Sequence, residues 1–363
     1  MGYVAVKGGQ QAIEASIEQY KQKTNYDSDR LTVEDILLTM SQHINQIMSE
    51  ASLYDRKLAA LAIKQASGNM EEAVFLLRAH RSTLPRLHYS TVTNTRNMFV
   101  ERRVSASFKD IPGGQILGAS PDFTHRLLDD TIASEDTKSE PNQYKQNTTT
   151  NTTNYPLNAL PKVIDYLEDE GLFTKEPECN DEPDDITKKT IEFPSSRSER
   201  LQALTRGQTG AVTSLGYAEI RGYGNTAHPN IGECRVGQQP VYIQPFEDEE
   251  AYFIGDIELT EVEAFMPVSK SQKNEDGHVE QEFNIGYGIT FGQNETKTIA
   301  MSVLDYSLSH PEGDAATCDD EFVLLHIDSV ESTGFISHLK LPHYVTFQSV
   351  LDRVRQTKRG GES

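Results

Sequence analysis

From Thr131 to about Pro156 the chain runs through a polar, repetitive stretch that includes Asn147-Thr148-Thr149-Thr150-Asn151-Thr152-Thr153-Asn154 and very few apolar side chains. Such a run cannot bury enough apolar surface to offset the entropy of ordering it, so a disordered insertion is predicted there. Any core must come from the flanks. This divides the 363 residues into an N-terminal region 1–130, a polar insertion 131–160, a C-terminal region 161–348 and a polar tail 349–363.

The flanks carry different periodicities. Tyr3-Val4-Ala5-Val6 is a short apolar run, Gly8-Gly9 breaks it, and helical spacing follows from Gln11 to Tyr20; this predicts strand, glycine turn and helix. Thr32, with Asp35 three residues on, caps a helix whose apolar face is Ile36, Leu37, Met40, Ile44 and Ile47. Tyr54–Ala66 and Asn69–His80 read as two more helices, separated by Gly68. Alternation between Arg86 and Phe108 predicts strands.

After the insertion, helices are expected over Leu157–Leu172, from Ser195, over Ala211–Ile220 and over Glu295–Leu308. Strands are expected at Val241–Gln244, Ala251–Leu259 and Glu261–Pro267, a strand or buried run at Phe322–Ile327, and a turn-rich edge at Gly286–Gly292. The class is α+β, with a helical N-terminal half and a strand-rich C-terminal half.

Composition narrows the function. A formal net charge of -21 opposes a general nucleic-acid binder, which needs a basic surface to displace counterions. Cys179, Cys234 and Cys318 are far apart and form no Cys-x-x-Cys, which predicts free thiols in a reducing compartment. No apolar run approaches the length that spans a membrane, so a cytoplasmic protein is expected. The charge is uneven, however. Residues 129–185 hold 15 acidic side chains against 4 lysines, whereas residues 78–126 hold eight cationic side chains against three acidic ones. That basic segment suits either a polyanionic small ligand or an acidic partner.

The chemistry-bearing stretch is Ser337-His338-Leu339-Lys340-Leu341-Pro342-His343-Tyr344. Five residues along a helix turn the chain about 140°, and an odd step along a strand changes face, so neither element would let both imidazoles converge. Pro342 disfavours helix at Leu341 and makes a turn there, which brings His338 and His343 within reach of one ion. The alternative is two surface or packing histidines. His125, in Asp122-Phe123-Thr124-His125-Arg126, is a candidate acid, a second metal ligand or a surface histidine.

That histidine stretch, the opening Tyr3-Val4-Ala5-Val6-Lys7-Gly8-Gly9, the run Phe108-Lys109-Asp110-Ile111-Pro112-Gly113-Gly114-Gln115, and the turns Arg221-Gly222-Tyr223-Gly224 and Gly286-Tyr287-Gly288 together resemble one family. It is PhnI, subunit I of the bacterial carbon-phosphorus lyase core complex. The resemblance runs from Tyr3 to Phe347 and lapses in the polar insertion and at the extreme C-terminus. It implies a transferase subunit that replaces the purine base of ATP or GTP by an alkylphosphonate, giving a ribose 1-phosphonate 5-triphosphate. It implies core subunits G, H and the radical iron-sulfur subunit J as partners, with ATP-binding-cassette-like subunits, and a divalent metal, zinc, on His338 and His343.

Breaking an N-glycosidic bond needs an acid for the departing base, an anionic nucleophile near the anomeric carbon and cations for the triphosphate. His125 with Asp110 behind it is assigned the acid-base role, and Lys7, Arg102, Arg103 and Lys340 the anion-binding role. A non-catalytic scaffold in the same complex is the alternative, because no fixed catalytic motif such as Gly-x-Ser-x-Gly is present. Residues 58–80 also resemble the last two helices of a ubiquitin-associated domain, but the Met-Gly-Phe or Met-Gly-Tyr loop of that family is missing.

Deleting Thr131–Asn151 behind a short Gly-Ser joint should leave the melting temperature within about a degree or two of the parent, because the segment brings so little apolar surface to bury. A large loss of folded protein in a thermal melt would show that it packs.

Overall fold

Four antiparallel strands in the order β1-β2-β3-β4 carry the fold: β1 (Phe99–Val104), β2 (Asn230–Ile243), β3 (Tyr252–Lys273) and β4 (Val279–Phe291). The computed structural model describes residues 8–24, 31–128, 130, 160–173, 182–223, 229–246, 249–273, 279–311, 313–341 and 343–359. The expected strand at Tyr3–Val6, Lys7, and all of the expected insertion except Leu160 lie outside them. β1 comes from before the insertion and its partner β2 from after it, so the two flanks share one sheet.

The N-terminal helices follow their caps. After α1 (Gly9–Thr24), α2 (Val33–Thr39) starts with a capping box between Thr32 and Asp35. The helix expected to continue through Ile47 instead breaks at Met40, whose φ of -116° and ψ of 38° are not helical, and resumes as α3 (Ser41–Ala51). Asp55 caps α4 (Arg56–Gln65) and Asn69 caps α5 (Met70–Thr83). Gly68, at φ +82°, makes the left-handed turn between them. Ile44, Ile47, Met48, Ala60, Ile63 and Val74 close a core among α2 to α5.

The two faces of the sheet have opposite characters. On one lies α9 (Glu295–Ser309), almost entirely buried. A Cβ on Gly286 would meet the Ser302 carbonyl oxygen of α9 at 2.0 Å, and one on Gly288 the Thr298 carbonyl oxygen at 2.3 Å. These glycines, expected to mark a turn-rich edge, lie inside β4 because α9 rests directly on its backbone. α7 (Arg197–Arg206), α8 (Thr209–Ala218) and α10 (Asp320–His326) pack around α9 through Leu204, Val212, Met301, Leu304 and Val323.

The other face holds buried charge. Arg103 of β1 donates to Glu233 of β2 at 2.5 Å, and Arg235 of β2 pairs with Glu261 of β3. Lys162 donates to Glu261 at 3.0 Å and to Glu263 at 2.6 Å. Lys162 leads into α6 (Val163–Asp169), whose Val163, Ile164 and Leu167 cover the same face beside Phe265. Burial alone would push the Glu261 carboxyl up; Arg235 and Lys162 outweigh it and hold the group down to about 2.

The α+β class holds, and β2 to β4 do lie late in the chain, but most of the helices after α5 share that half because the sheet has to be covered. The break expected between Leu259 and Glu261 is absent: β3 runs through it. Phe322–Ile327, expected as a strand or a buried run, is helical: it falls on α10, with Val323 and Leu324 buried, and Asp319 caps it by accepting the Phe322 N–H at 3.0 Å. The tail expected from residue 349 lies within α12 (Tyr344–Arg359) up to Arg359.

Arg103 is 0% exposed and Glu233 2%. Removing one partner of such a pair leaves an uncompensated buried charge, so Arg103→Ala should cost about 3–5 kcal/mol in a urea titration. Replacing both by methionine should recover most of that loss; a double variant as unstable as the single one would contradict this account.

Candidate functional site

His338 ends α11 (Ser329–His338), a helix opened by Asp328, which accepts the Val330 N–H at 3.0 Å and the Glu331 N–H at 3.3 Å. Leu339 and Lys340 then turn, and the Leu341 N–H returns to the His338 carbonyl at 2.9 Å. His343 stands directly before α12, its carbonyl accepting the Phe347 N–H at 3.1 Å. Pro342, expected to set this turn, lies outside the described residues.

The short connection brings the two imidazoles together. Their centroids are 5.3 Å apart with ring planes at 76°. His343 Nδ1 donates to the Leu341 carbonyl at 2.6 Å, and His338 Nδ1 donates to the Phe335 carbonyl. A carbonyl can only accept, so each Nδ1 carries a proton, and in the neutral form of each ring it is Nε2 that holds the lone pair. This is the tautomer a metal-binding histidine requires, fixed by a hydrogen bond at the other ring nitrogen. The donor set suits a divalent cation of the zinc type. Among the described residues no group of three or more His, Cys, Asp or Glu is placed to hold an ion, so these two imidazoles would supply only two ligands of a four-coordinate site. Lys340 is exposed in the turn between them.

The other assigned residues are placed differently. Arg102 is 5% exposed and its guanidinium donates to Glu295 at 2.6 Å, to the Leu117 carbonyl at 2.5 Å and to Asp122 at 2.5 Å. Arg103 donates to Glu233, to the Pro112 carbonyl at 2.6 Å and to the Pro161 carbonyl at 2.7 Å. As neighbours on a strand they face opposite sides of the sheet. Each fastens a loop: Arg103 the one carrying Asp110, Arg102 the one leading to His125. Asp110 and His125 are exposed. Nothing in this arrangement leaves Arg103 open to a phosphate, and Lys7 lies outside the described residues.

One cavity, of about 300 Å³, was not anticipated. It opens at the start of α9 and is lined by His43, Gln46, Asp122, Arg126, Glu295 and Lys297. Lys297 is 1% exposed, and burial depresses its ammonium to about 8 despite the nearby Glu50. Its Nζ donates to the Thr205 carbonyl at 2.6 Å. A lysine on the apolar stripe that continues through Ala300, Met301 and Leu304 was the available sign.

Compared with known proteins, residues 2–361 match the family model described as "Bacterial phosphonate metabolism protein (PhnI)". A protein of Rhizobium meliloti (strain 1021) named "Alpha-D-ribose 1-methylphosphonate 5-triphosphate synthase subunit PhnI" is 42% identical over 366 residues, covering 98% of this chain and 95% of that protein. The protein of the same name from Escherichia coli (strain K12) is 42% identical over 363 residues, covering 98% of each.

His338→Ala and His343→Ala should each remove most of the divalent metal from the purified complex, read by elemental analysis, while leaving assembly intact because neither ring is part of a buried core. Full metal content in both variants would make the histidines bystanders.

Proposed function

The chain belongs to the PhnI family of bacterial phosphonate metabolism proteins, and from that premise we propose that it displaces the purine base of ATP or GTP with an alkylphosphonate, giving a ribose 1-phosphonate 5-triphosphate. The reaction is a transfer, with cleavage of the N-glycosidic bond as in a nucleosidase. The names of the two relatives support the product class. The observation that carries the mechanism is the pairing of the His338 and His343 rings, each with its Nδ1 engaged by a backbone carbonyl.

A divalent cation held by His338 and His343, zinc by ligand type, would supply a centre of positive charge for phosphonate or phosphate oxygens. Two protein ligands would hold an ion loosely, so substrate oxygens, water or a neighbouring subunit would have to complete the set. Lys340, in the intervening turn, adds a mobile cation for the same anion. His125 protonates the departing base, with Asp110 on the adjoining loop. Arg102 acts through Asp122 and Glu295, holding the loop and the start of α9 in place.

The working unit is the carbon-phosphorus lyase core, with subunits G, H and the radical iron-sulfur subunit J and the ATP-binding-cassette-like subunits, in the cytoplasm. A second reading, a non-catalytic scaffold of that complex, is favoured by one observation. α1 exposes Ile13, Ile17 and Tyr20 on one stripe, and α12 exposes Phe347, Val350 and Val354 on another, which are surfaces for assembly.

Incubating the chain, alone and with its partners, with ATP and methylphosphonate should release free adenine, followed by chromatography. Release should require methylphosphonate and fall at least tenfold in His338→Ala. Equal release from a complex carrying the His338→Ala, His343→Ala double variant would assign the chemistry to another subunit and leave this chain the scaffold.

A further inference from the structure

Where α3, α5 and α7 end and α11 begins, four arginines meet two aspartates. Arg78 uses all three of its guanidinium nitrogens: Nε donates to the Glu50 carbonyl at 2.9 Å, one terminal nitrogen to both Asp328 oxygens at 2.7 and 2.8 Å, and the other to the Arg206 carbonyl at 3.0 Å. Arg86 pairs with Asp185 at 3.2 Å. Arg81 makes one bond, to the Ala51 carbonyl at 2.5 Å, and Arg206 reaches Asp328 at 3.4 Å. Among the described residues the remaining N–H groups of these two guanidiniums have no hydrogen-bond partner.

A purely structural role explains Arg78 and Arg86 but not Arg81 and Arg206. Asp328 is already matched by the bidentate Arg78 and by two N–H groups of α11, and the carbonyl ends of α3 and α7 offset only part of the charge. Burial, then Arg206, Arg78 and Arg86, depress Arg81 to about 10, with Asp185 opposing. Burial and Arg78 also depress Arg206, against Asp328 and Glu331. Two half-buried cations thus sit among more positive charge than their carboxylates balance.

Arg206 forms part of the wall of a cavity of about 420 Å³ between the 186–193 segment, α7 and α10–α11. Lys188 and Thr190 line it on the polar side, and Ile186, Ile191, Phe193 and Leu324 on the apolar side. Lys188 is exposed, its Nζ 5.0 Å from the centre of the Tyr89 ring. Glu331 and Asp328 are the acidic residues of the lining, the second already held by Arg78.

We propose that this cavity binds a small phosphate-bearing molecule with an apolar or aromatic body, the phosphate meeting Arg206 and Lys188 and the body lying against Ile191 and Phe193. The volume is that of a small-ligand site, and a guanidinium fork with unused N–H groups is matched to phosphate oxygens. Arg81 adds positive field behind Arg206. The site is separate from the histidine pair: Glu331, in its wall, and His338 are seven residues apart on α11, about 10 Å along the axis.

Calorimetric titration of the full chain with phenyl phosphate as probe, and with inorganic phosphate and phenol as comparators, tests this. Phenyl phosphate should bind saturably, inorganic phosphate more weakly and phenol not measurably. Arg206→Gln and Lys188→Glu should each weaken phenyl phosphate at least tenfold. Lys188 is exposed, so its variant keeps the test decisive if Arg206→Gln fails to fold. Absence of saturable binding, phenol binding as tightly as phenyl phosphate, or unchanged affinity in Lys188→Glu would overturn the proposal.

Discussion

The contact of α9 with the backbone of β4 is the constraint from which most of the structure follows. Without side chains at Gly286 and Gly288, the Ser302 and Thr298 carbonyls of the helix come as close to the strand as the atoms allow. Asp305, one turn further along, accepts the Tyr287 N–H at 2.9 Å and pairs with Arg197 of α7 at 2.8 Å. α7 and α10 pack on the same helix, and α11 continues from α10 after a short bend. The position of the histidine pair therefore traces back, element by element, to two missing methyl groups in β4.

The opposite face of the sheet solves a different problem. Three acidic and three basic side chains are buried there in alternating contact, Arg103 with Glu233, Arg235 with Glu261, and Lys162 between Glu261 and Glu263. Such pairs add little net stability against a well-packed apolar alternative, because desolvation offsets most of their attraction. They do discriminate between registers. A slip of one residue between β2 and β3 would turn these charges toward α9.

The elements most legible in the sequence were those announced by local chemistry. Thr32 with Asp35, Asn69 and Gly68 marked helix ends that hold, because caps and left-handed turns depend on neighbours in the chain. Gly286 and Gly288 misled for the opposite reason: a glycine that makes a turn and one that admits a helix look alike until the helix is in place. Arg102 and Arg103 likewise read as a cationic patch, although their carboxylate partners lie between 20 and 193 residues away. The histidine pair was legible because its geometry is set within six residues. The arginines at the end of α5 and α7 were not, since they converge only when four helices do.

The shared sheet also has a consequence in time. β1 ends at Val104 and β2 begins at Asn230, so β1 leaves the ribosome more than a hundred residues before the strand that pairs with it. At ordinary rates of synthesis that interval is on the order of ten seconds. Throughout it, Arg102 and Arg103 and the backbone edge of β1 lack the strand and helix that later satisfy them. The early helices can form as they emerge, but the β1 edge must stay unpaired and soluble through the wait, and the two guanidiniums within it supply the charge that keeps such an edge from pairing with another chain.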